Sequence, residues 1–187
     1  EEPDYSAIPK KLYDWEQSVY AGAEEIIPED APKPLGKPVV MTTFVDANLY
    51  HDLVNGKSVT GILHLFNKTV IDWYSKKQST VETATYGSEF VAARTAMEQI
   101  IDLRLQLRYL GVTIKGSTMM FGDNESVVNS SSLPHARLHK RHTALSFHRV
   151  REGIAAGVAQ FYYIPSLSNP ADILSKQWGY QQAWPML

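Results

Sequence analysis

Thr85-Tyr86-Gly87-Ser88-Glu89-Phe90-Val91-Ala92-Ala93-Arg94-Thr95-Ala96-Met97-Glu98-Gln99-Ile100-Ile101-Asp102-Leu103-Arg104-Leu105-Gln106-Leu107-Arg108-Tyr109 is the most regular stretch of the chain. Tyr86, Glu89, Ala93, Ala96, Ile100, Leu103, Leu107 and Leu110 recur at alternating spacings of three and four, which puts them on one face of a helix. Gly111 ends it. One member of that apolar stripe is an acid. Glu89 stands near the helix start, where the backbone dipole favours a negative charge, so the helix alone gives a bland account of it. The rest of the chain makes that account less satisfactory.

Upstream, Val39 to Val45 is β-branched and apolar and reads as a strand ending at Asp46. After the turn signal Asn55-Gly56, Ser58 to Phe66 reads as a second strand and Thr69 to Tyr74 as a third, joined as a hairpin through Asn67-Lys68. Trp73 and Tyr74 read as core or sheet packing. Downstream, Thr118 to Phe121 is a fourth strand broken by Gly122-Asp123-Asn124, followed by a short helix through Val128. A longer helix is expected from Pro134 to Ala156, with Leu138, Leu145 and Val150 inward, then a fifth strand from Val158 to Ile164. The last element opens at Asn169-Pro170-Ala171-Asp172, with Ile173, Leu174 and Trp178 as its apolar face.

Asp46, Glu89, Asp123 and Asp172 thus stand at a strand end, inside a helix stripe, after another strand and at a helix start. Each has an ordinary reading as a cap or terminal acid. As a set they resemble a metal site, because a carboxylate taken out of water costs several kcal/mol unless it is paired or holds a cation. Apart from Arg94, no Lys or Arg lies within a few residues of Asp46, Glu89 or Asp123. With no cysteine in the chain, the natural ions are hard ones on oxygen ligands, Mg²⁺ or Mn²⁺.

The bulk numbers agree with one globular unit: 187 residues, 44% apolar and a net charge of −2. No apolar run is long enough to cross a bilayer and no secretory signal is visible, so a soluble intracellular protein with no membrane partner is expected. The start Glu-Glu-Pro, without Met, suggests a piece of something longer. Residues 1–38 hold Pro3, Pro9, Pro28, Pro32, Pro34 and Pro38 and nine acids against four lysines, and read as an irregular acidic arm that packs on the core through Tyr13 and Trp15. Residues 135–151 contain no acid and four histidines. That stripe is either a solvated helix face or a phosphate-contacting surface. His135, His139 and His142 have helical spacing for an imidazole zinc site, but histidines without Cys or a nearby Asp are more often not ligands.

Several blocks, in this order and spacing, resemble the ribonuclease H domain of copia-type LTR retrotransposon polyproteins. They are Val45-Asp46-Ala47-Asn48, Ser58-Val59-Thr60-Gly61, Ile71-Asp72-Trp73-Tyr74-Ser75-Lys76-Lys77-Gln78, Ser88-Glu89-Phe90, Asp123-Asn124, His139-Lys140-Arg141-His142 with Phe147-His148-Arg149, and Asn169-Pro170-Ala171-Asp172-Ile173-Leu174-Ser175-Lys176. The resemblance runs from about residue 40 to 178. It implies an α/β ribonuclease H-like fold over residues 39–187, with a five-stranded mixed sheet of order 3-2-1-4-5 flanked by helices. It also implies an endonuclease that hydrolyses the RNA strand of RNA/DNA hybrids with two Mg²⁺ ions, Mn²⁺ serving as a substitute.

Asp46 would be shared by both ions, Glu89 and Asp123 would complete one and Asp172 the other. Asn48, Ser88, Asn124, His139, Arg141 and His142 are the candidate substrate contacts. The implied partners are the hybrid and the reverse transcriptase region of a parent polyprotein, in the cytoplasm or in retroelement particles. The alternative is a catalytically silent module of the same fold that binds nucleic acid or supports the polymerase. One departure stands out: the loop before the last acid, Pro165 to Pro170, lacks the histidine that cellular and retroviral members place there.

Overall fold

The computed structural model describes residues 13–138 and 140–176; His139 and Trp178 lie outside them. The sheet that organises the molecule holds β2 (Met41–Asp52), β3 (Lys57–Phe66), β4 (Thr69–Lys77), β6 (Thr118–Gly122) and β7 (Ala159–Tyr163), in the order β4-β3-β2-β6-β7. β2, β3 and β4 are antiparallel, while β6 and β7 run parallel to β2. The expected five-strand order is therefore present. The parallel pairs need crossover helices, and α1 (Thr85–Tyr109) and α3 (Ala144–Ala155) supply them on one face, with α2 (Glu125–Ser132) following β6.

The core lies between that face and those helices. Val45, Ile62 and Met120 from the sheet meet Phe90, Ala93, Ala96, Met97 and Ile100 of α1 and Phe147 and Val150 of α3. Fully burying Phe90 or Ile100 contributes roughly 1.5–3 kcal/mol each. The stripe read from α1 is largely the buried face, except that Leu110 is 72% exposed and Arg104 is buried. α1 ends at a left-handed Gly111, φ +74°, as a glycine stop requires.

On the other face, a cross-strand row runs Trp73, Leu63, Phe44, Phe121 and Tyr162 over all five strands. Trp73 ends that row on the edge strand at 66% exposed, so it belongs to the sheet face and not to the core. α4 (Asp172–Ser175) packs on the same side, against β2, β3 and β4.

Three expectations need correction. The strand through Asp46 continues to Asp52 instead of stopping at the acid. A second sheet, of β1 (Leu35–Val39) in parallel with β5 (Val112–Ile114), ties the end of the arm to the chain after α1. Lastly, residues 134–138 are not helical: α2 stops at Ser132, a single 3₁₀ turn spans Arg141–Thr143, and α3 begins at Ala144. Proline favours an extended residue before it, and Leu133 is extended. The carbonyls of Ser130, Leu133 and Pro134 all accept from the guanidinium of Arg151 at 2.7 Å, and Leu133 also accepts from the Ala136 N–H at 3.0 Å in a single turn, so a side chain takes up carbonyls that a continuous helix would use.

The described part of the arm, from Tyr13 onward, packs on the core. Arg151, fully buried, lies 5.0 Å from the ring centre of Trp15, 5.3 Å from Tyr20 and 4.8 Å from Phe147. Tyr13 and Trp15 also line a half-open apolar cavity of about 570 Å³ beside β7. Glu25 reaches α1, where Arg104 and Arg108 each donate to both of its oxygens at 2.6 and 2.8 Å. Burial by itself would raise the pKa of Glu25, but the two guanidiniums hold it at about 2.

Candidate functional site

Asp46 faces away from the helical core, on the same side as Phe44, because side chains alternate along a strand. Its partners across the ladder are Gly61 on β3 and, one strand further, Ser75 on β4. That row is the floor on which α4 sits. A Cβ at Gly61 would lie 2.6 Å from the Ala171 carbonyl oxygen and 2.9 Å from the Ser175 nitrogen, so only glycine allows this approach. Ser75 donates to the Leu174 carbonyl at 2.6 Å. Asn169 ties the start of the turn down: its amide donates to the Val45 carbonyl at 2.9 Å and its oxygen accepts from the Ala171 N–H at 3.1 Å.

These contacts deliver the last turn to the acids. The Ser175 hydroxyl donates to Asp46 Oδ2, and the Lys176 ammonium donates to Asp172 Oδ1. Glu89 enters from the second turn of α1 and Asp123 from the end of β6, immediately before the α2 N-cap. Asp46, Glu89 and Asp123 each offer an oxygen within 4.8 Å of the others. Asp172 is buried beside them, and its charge acts on Asp46. The structure therefore brings three of the four acids into one ligand set and holds the fourth next to it on an ammonium.

The electrostatics of this pocket are those of charge without enough counter-charge. Burial pushes the pKa of Asp46 from 3.8 to about 6, with Asp123 and Asp172 adding to the rise against the Ser175 hydroxyl and Lys176. Burial also lifts Glu89 well above the carboxylate range, reinforced by Asp46 and Asp123 and opposed by the Ala47 N–H and Lys176. Three oxygen donors of like charge, converging and largely dry, are a donor set that fits a divalent cation of the Mg²⁺ type.

The remaining candidates divide. Ser88 is fully buried and its hydroxyl donates to the Thr85 carbonyl at 3.0 Å, so it serves the first turn of α1 and has no face for a substrate. Asn124 caps α2, its oxygen accepting from the Val127 N–H at 3.2 Å. The half-buried Asn48 is hydrogen-bonded to His51 at 3.1 Å. Arg141 is exposed, and His142, also exposed, reaches the buried Glu82 at 3.2 Å.

The basic stripe is partly spent within the fold. Arg151 is interior, His148 meets the Tyr20 hydroxyl, and Arg149 pairs with Glu152. His135 lies outside any helix, which takes it out of the helical spacing of a histidine-only zinc site, and His139 lies outside the described residues. Sequence reasoning missed Gly61, Ser75, Asn169 and Ser175 as site-building residues. Gly61 alone carried a readable signal, since a glycine inside an apolar strand marks a close approach.

No protein-family model matches the chain. In sequence it is similar to the retrovirus-related Pol polyprotein from transposon TNT 1-94 of Nicotiana tabacum, 32% identical over 143 residues, which is 75% of this chain and 10% of that protein. It is also similar to the polyprotein from transposon RE2 of Arabidopsis thaliana, 21% identical over 141 residues, 75% and 10% of the two chains. The chain thus spans about a tenth of the length of the relatives it matches.

In structure it is similar to the N-terminal RNase H domain of rv2228c from Mycobacterium tuberculosis, with a TM-score of 0.57 and 12% identity over 73% of this chain and 91% of that one. LC11-RNase H1, isolated from compost, gives 0.56 and 17% over 72% and 91%. The same protein in complex with an RNA/DNA hybrid gives 0.53 and 16% over 73% and 92%. Among the described residues, no helix is long and apolar enough to cross a membrane. Kinship in sequence and architecture converge: this chain is a ribonuclease H-fold relative of the retrovirus-related Pol polyproteins of plant transposons.

Proposed function

We propose that the chain is a divalent-metal-dependent endonuclease that hydrolyses the RNA strand of RNA/DNA hybrids, within a retroelement polyprotein acting in the cytoplasm or in retroelement particles. The observation that carries this reading is the convergence of Asp46, Glu89 and Asp123 within 4.8 Å, with Asp172 beside them, on the sheet of a ribonuclease H fold. Asp46, Glu89 and Asp123 would hold one ion, and Asp46 with Asp172 a second, Mg²⁺ being the natural occupant and Mn²⁺ a substitute. Divalent cations make water a stronger acid and neutralise the charge that builds on a departing 3′ oxygen.

The side chains supply orientation. Ser175 fixes one oxygen of Asp46, the Ala47 N–H restrains Glu89, and α4, seated on Gly61, sets the position of Asp172. Their burial keeps the local dielectric low, which strengthens every charge interaction at the phosphate. Asn48, Arg141 and His142 remain the side chains available to the hybrid backbone.

The test is a hybrid labelled on each strand in turn, incubated with the chain in Mg²⁺, in Mn²⁺ and in chelator. Cleavage of the RNA strand alone, lost in chelator and in Asp46→Asn with the fold intact, is the expected result. Cleavage that survives Asp46→Asn, or hybrid binding without any cutting in Mn²⁺, would overturn it, the latter in favour of a silent module.

A further inference from the structure

The four acids are not equivalent in what touches them. Asp46 meets a hydroxyl that is 1% exposed and fixed by the packing of α4 on Gly61. Asp172 meets an ammonium whose side chain is 39% exposed. Lys176 is also the C-cap of α4, with extended backbone, so its side chain can swing toward water without unwinding a turn. Asp172, whose oxygen is held by that ammonium, is the acid left out of the three-carboxylate ligand set.

We propose that Lys176 is a resident counter-ion of the acid cluster: it occupies the Asp172 side while no divalent ion is there, and competes with the ion for that carboxylate. On this basis Lys176 sets the metal concentration at which Asp172 joins the site. The inference rests on the metal-site reading above and goes beyond it, because it concerns the order and strength of ion uptake. A carboxylate oxygen that accepts from an ammonium has that lone pair engaged, so an ion approaching the same oxygen must displace a positive charge before it gains a ligand. The cost is small, since the ammonium regains water on leaving; for such a part-exposed pair it is a factor of about five or less in affinity. What the protein gains is a cluster that is less self-repelling when empty.

The experiment is calorimetric titration of the metal-free full chain with Mn²⁺, repeated on Lys176→Met, which keeps the stem and removes the charge, and on Lys176→Arg, which keeps the charge. Lys176→Met should bind its weaker ion up to about fivefold more tightly, and its melting temperature should fall in chelator while its rise on adding Mn²⁺ grows. Lys176→Arg should bind Mn²⁺ no more tightly than the parent chain, because its guanidinium forks onto a carboxylate. Unchanged or weaker binding in Lys176→Met overturns the proposal. So does an equal fall of melting temperature with and without Mn²⁺, the mark of a purely structural contact. Absence of any Mn²⁺ uptake by the parent chain is a separate outcome that removes the metal reading itself.

Discussion

The molecule buries carboxylates in two places and treats them in opposite ways. At the far end of α1, Glu25 of the arm is clasped by Arg104 and Arg108, and its pKa falls to about 2. At the near end of the same helix, Glu89 shares a pocket with Asp46 and Asp123, and its pKa rises well above the usual range. Glu89 is buried and Glu25 partly so, and in both burial by itself pushes the pKa up, so burial does not account for the opposite directions. What separates them is whether the chain supplies the opposite charge. Where it does, the acid is structural, a clasp between arm and helix. Where it does not, the protein carries a cost that only something from outside can offset, and such uncompensated sites are where function is found.

The sharpest way to break this contrast is to neutralise an acid in the uncompensated pocket. Glu89→Gln removes one of the repelling charges while keeping the shape. It should raise the melting temperature in chelator and lower hybrid cleavage by about a thousandfold or more, as loss of a catalytic-machinery residue does. A variant that lost stability instead would show that the pocket is charge-balanced after all. The next effect is steric. Gly61→Ala drives a Cβ into the Ala171 and Ser175 backbone, shifting α4 and with it Asp172 and the Ser175 hydroxyl. Displacements near an ångström cost on the order of 10² in rate, with about 1–3 kcal/mol of overpacking. Retained cleavage in this variant would detach α4 from the site.

The titration sharpens the comparison further. Asp46 has a folded-state pKa of about 6, above the 3.8 of an unconstrained aspartate, so its favourable contribution is complete below about pH 4 and is lost as pH rises through 6. The metal-free chain should therefore lose stability between pH 4 and pH 7, on the order of a few kcal/mol. Mg²⁺ should raise the melting temperature more at pH 7 than at pH 5. Glu25 has the reverse sign: its contribution is present above pH 4.5 and lost as pH falls toward 2. Melting curves over pH with and without Mg²⁺ check both, and a metal effect independent of pH would contradict the uncompensated pocket.

How much of this was legible beforehand follows from the range of each signal. The extent of α1, the individual strands and the four acids are local or periodic features, whereas the order of the strands was implied only by the family resemblance. A 3.6-residue stripe and a polar residue in an apolar context can be read along the chain. The inward turn of Arg104 and Arg151 could not. Each is satisfied by atoms far away in sequence, Glu25 in one case and three carbonyls with the Trp15 and Tyr20 rings in the other, and neither an arginine on a helix nor one in a basic stripe gives a hint of them. The β1–β5 pair escaped for a related reason. β5 has only three residues, and β1 contains Gly36 and Pro38, which argue against a strand until the parallel partner is known. Ser175 and Asn169 look like ordinary turn residues because their partners, Asp46 and the Val45 carbonyl, are more than a hundred positions away.

The smallest predicted effect tests the compensated half directly. Glu25→Gln keeps a side chain that can accept from one guanidinium but removes the charge shared by two. Arg104 is nearly buried and would retain the Gly116 carbonyl at 3.0 Å and the Thr118 hydroxyl at 3.2 Å, so it is not left bare. Because Glu25 and Arg108 are partly exposed, the full penalty of a broken buried pair does not apply, and a loss of about 1–2 kcal/mol is expected. In a chain of this size that lowers the melting temperature by about 2–8 °C. Hybrid cleavage should be unchanged, since the clasp lies at the opposite end of α1 from Glu89. Neutralising a buried acid would then stabilise the metal-free protein at one end of the helix and destabilise it at the other. Equal signs at the two ends would mean that local burial, and not the supply of counter-charge, governs both sites.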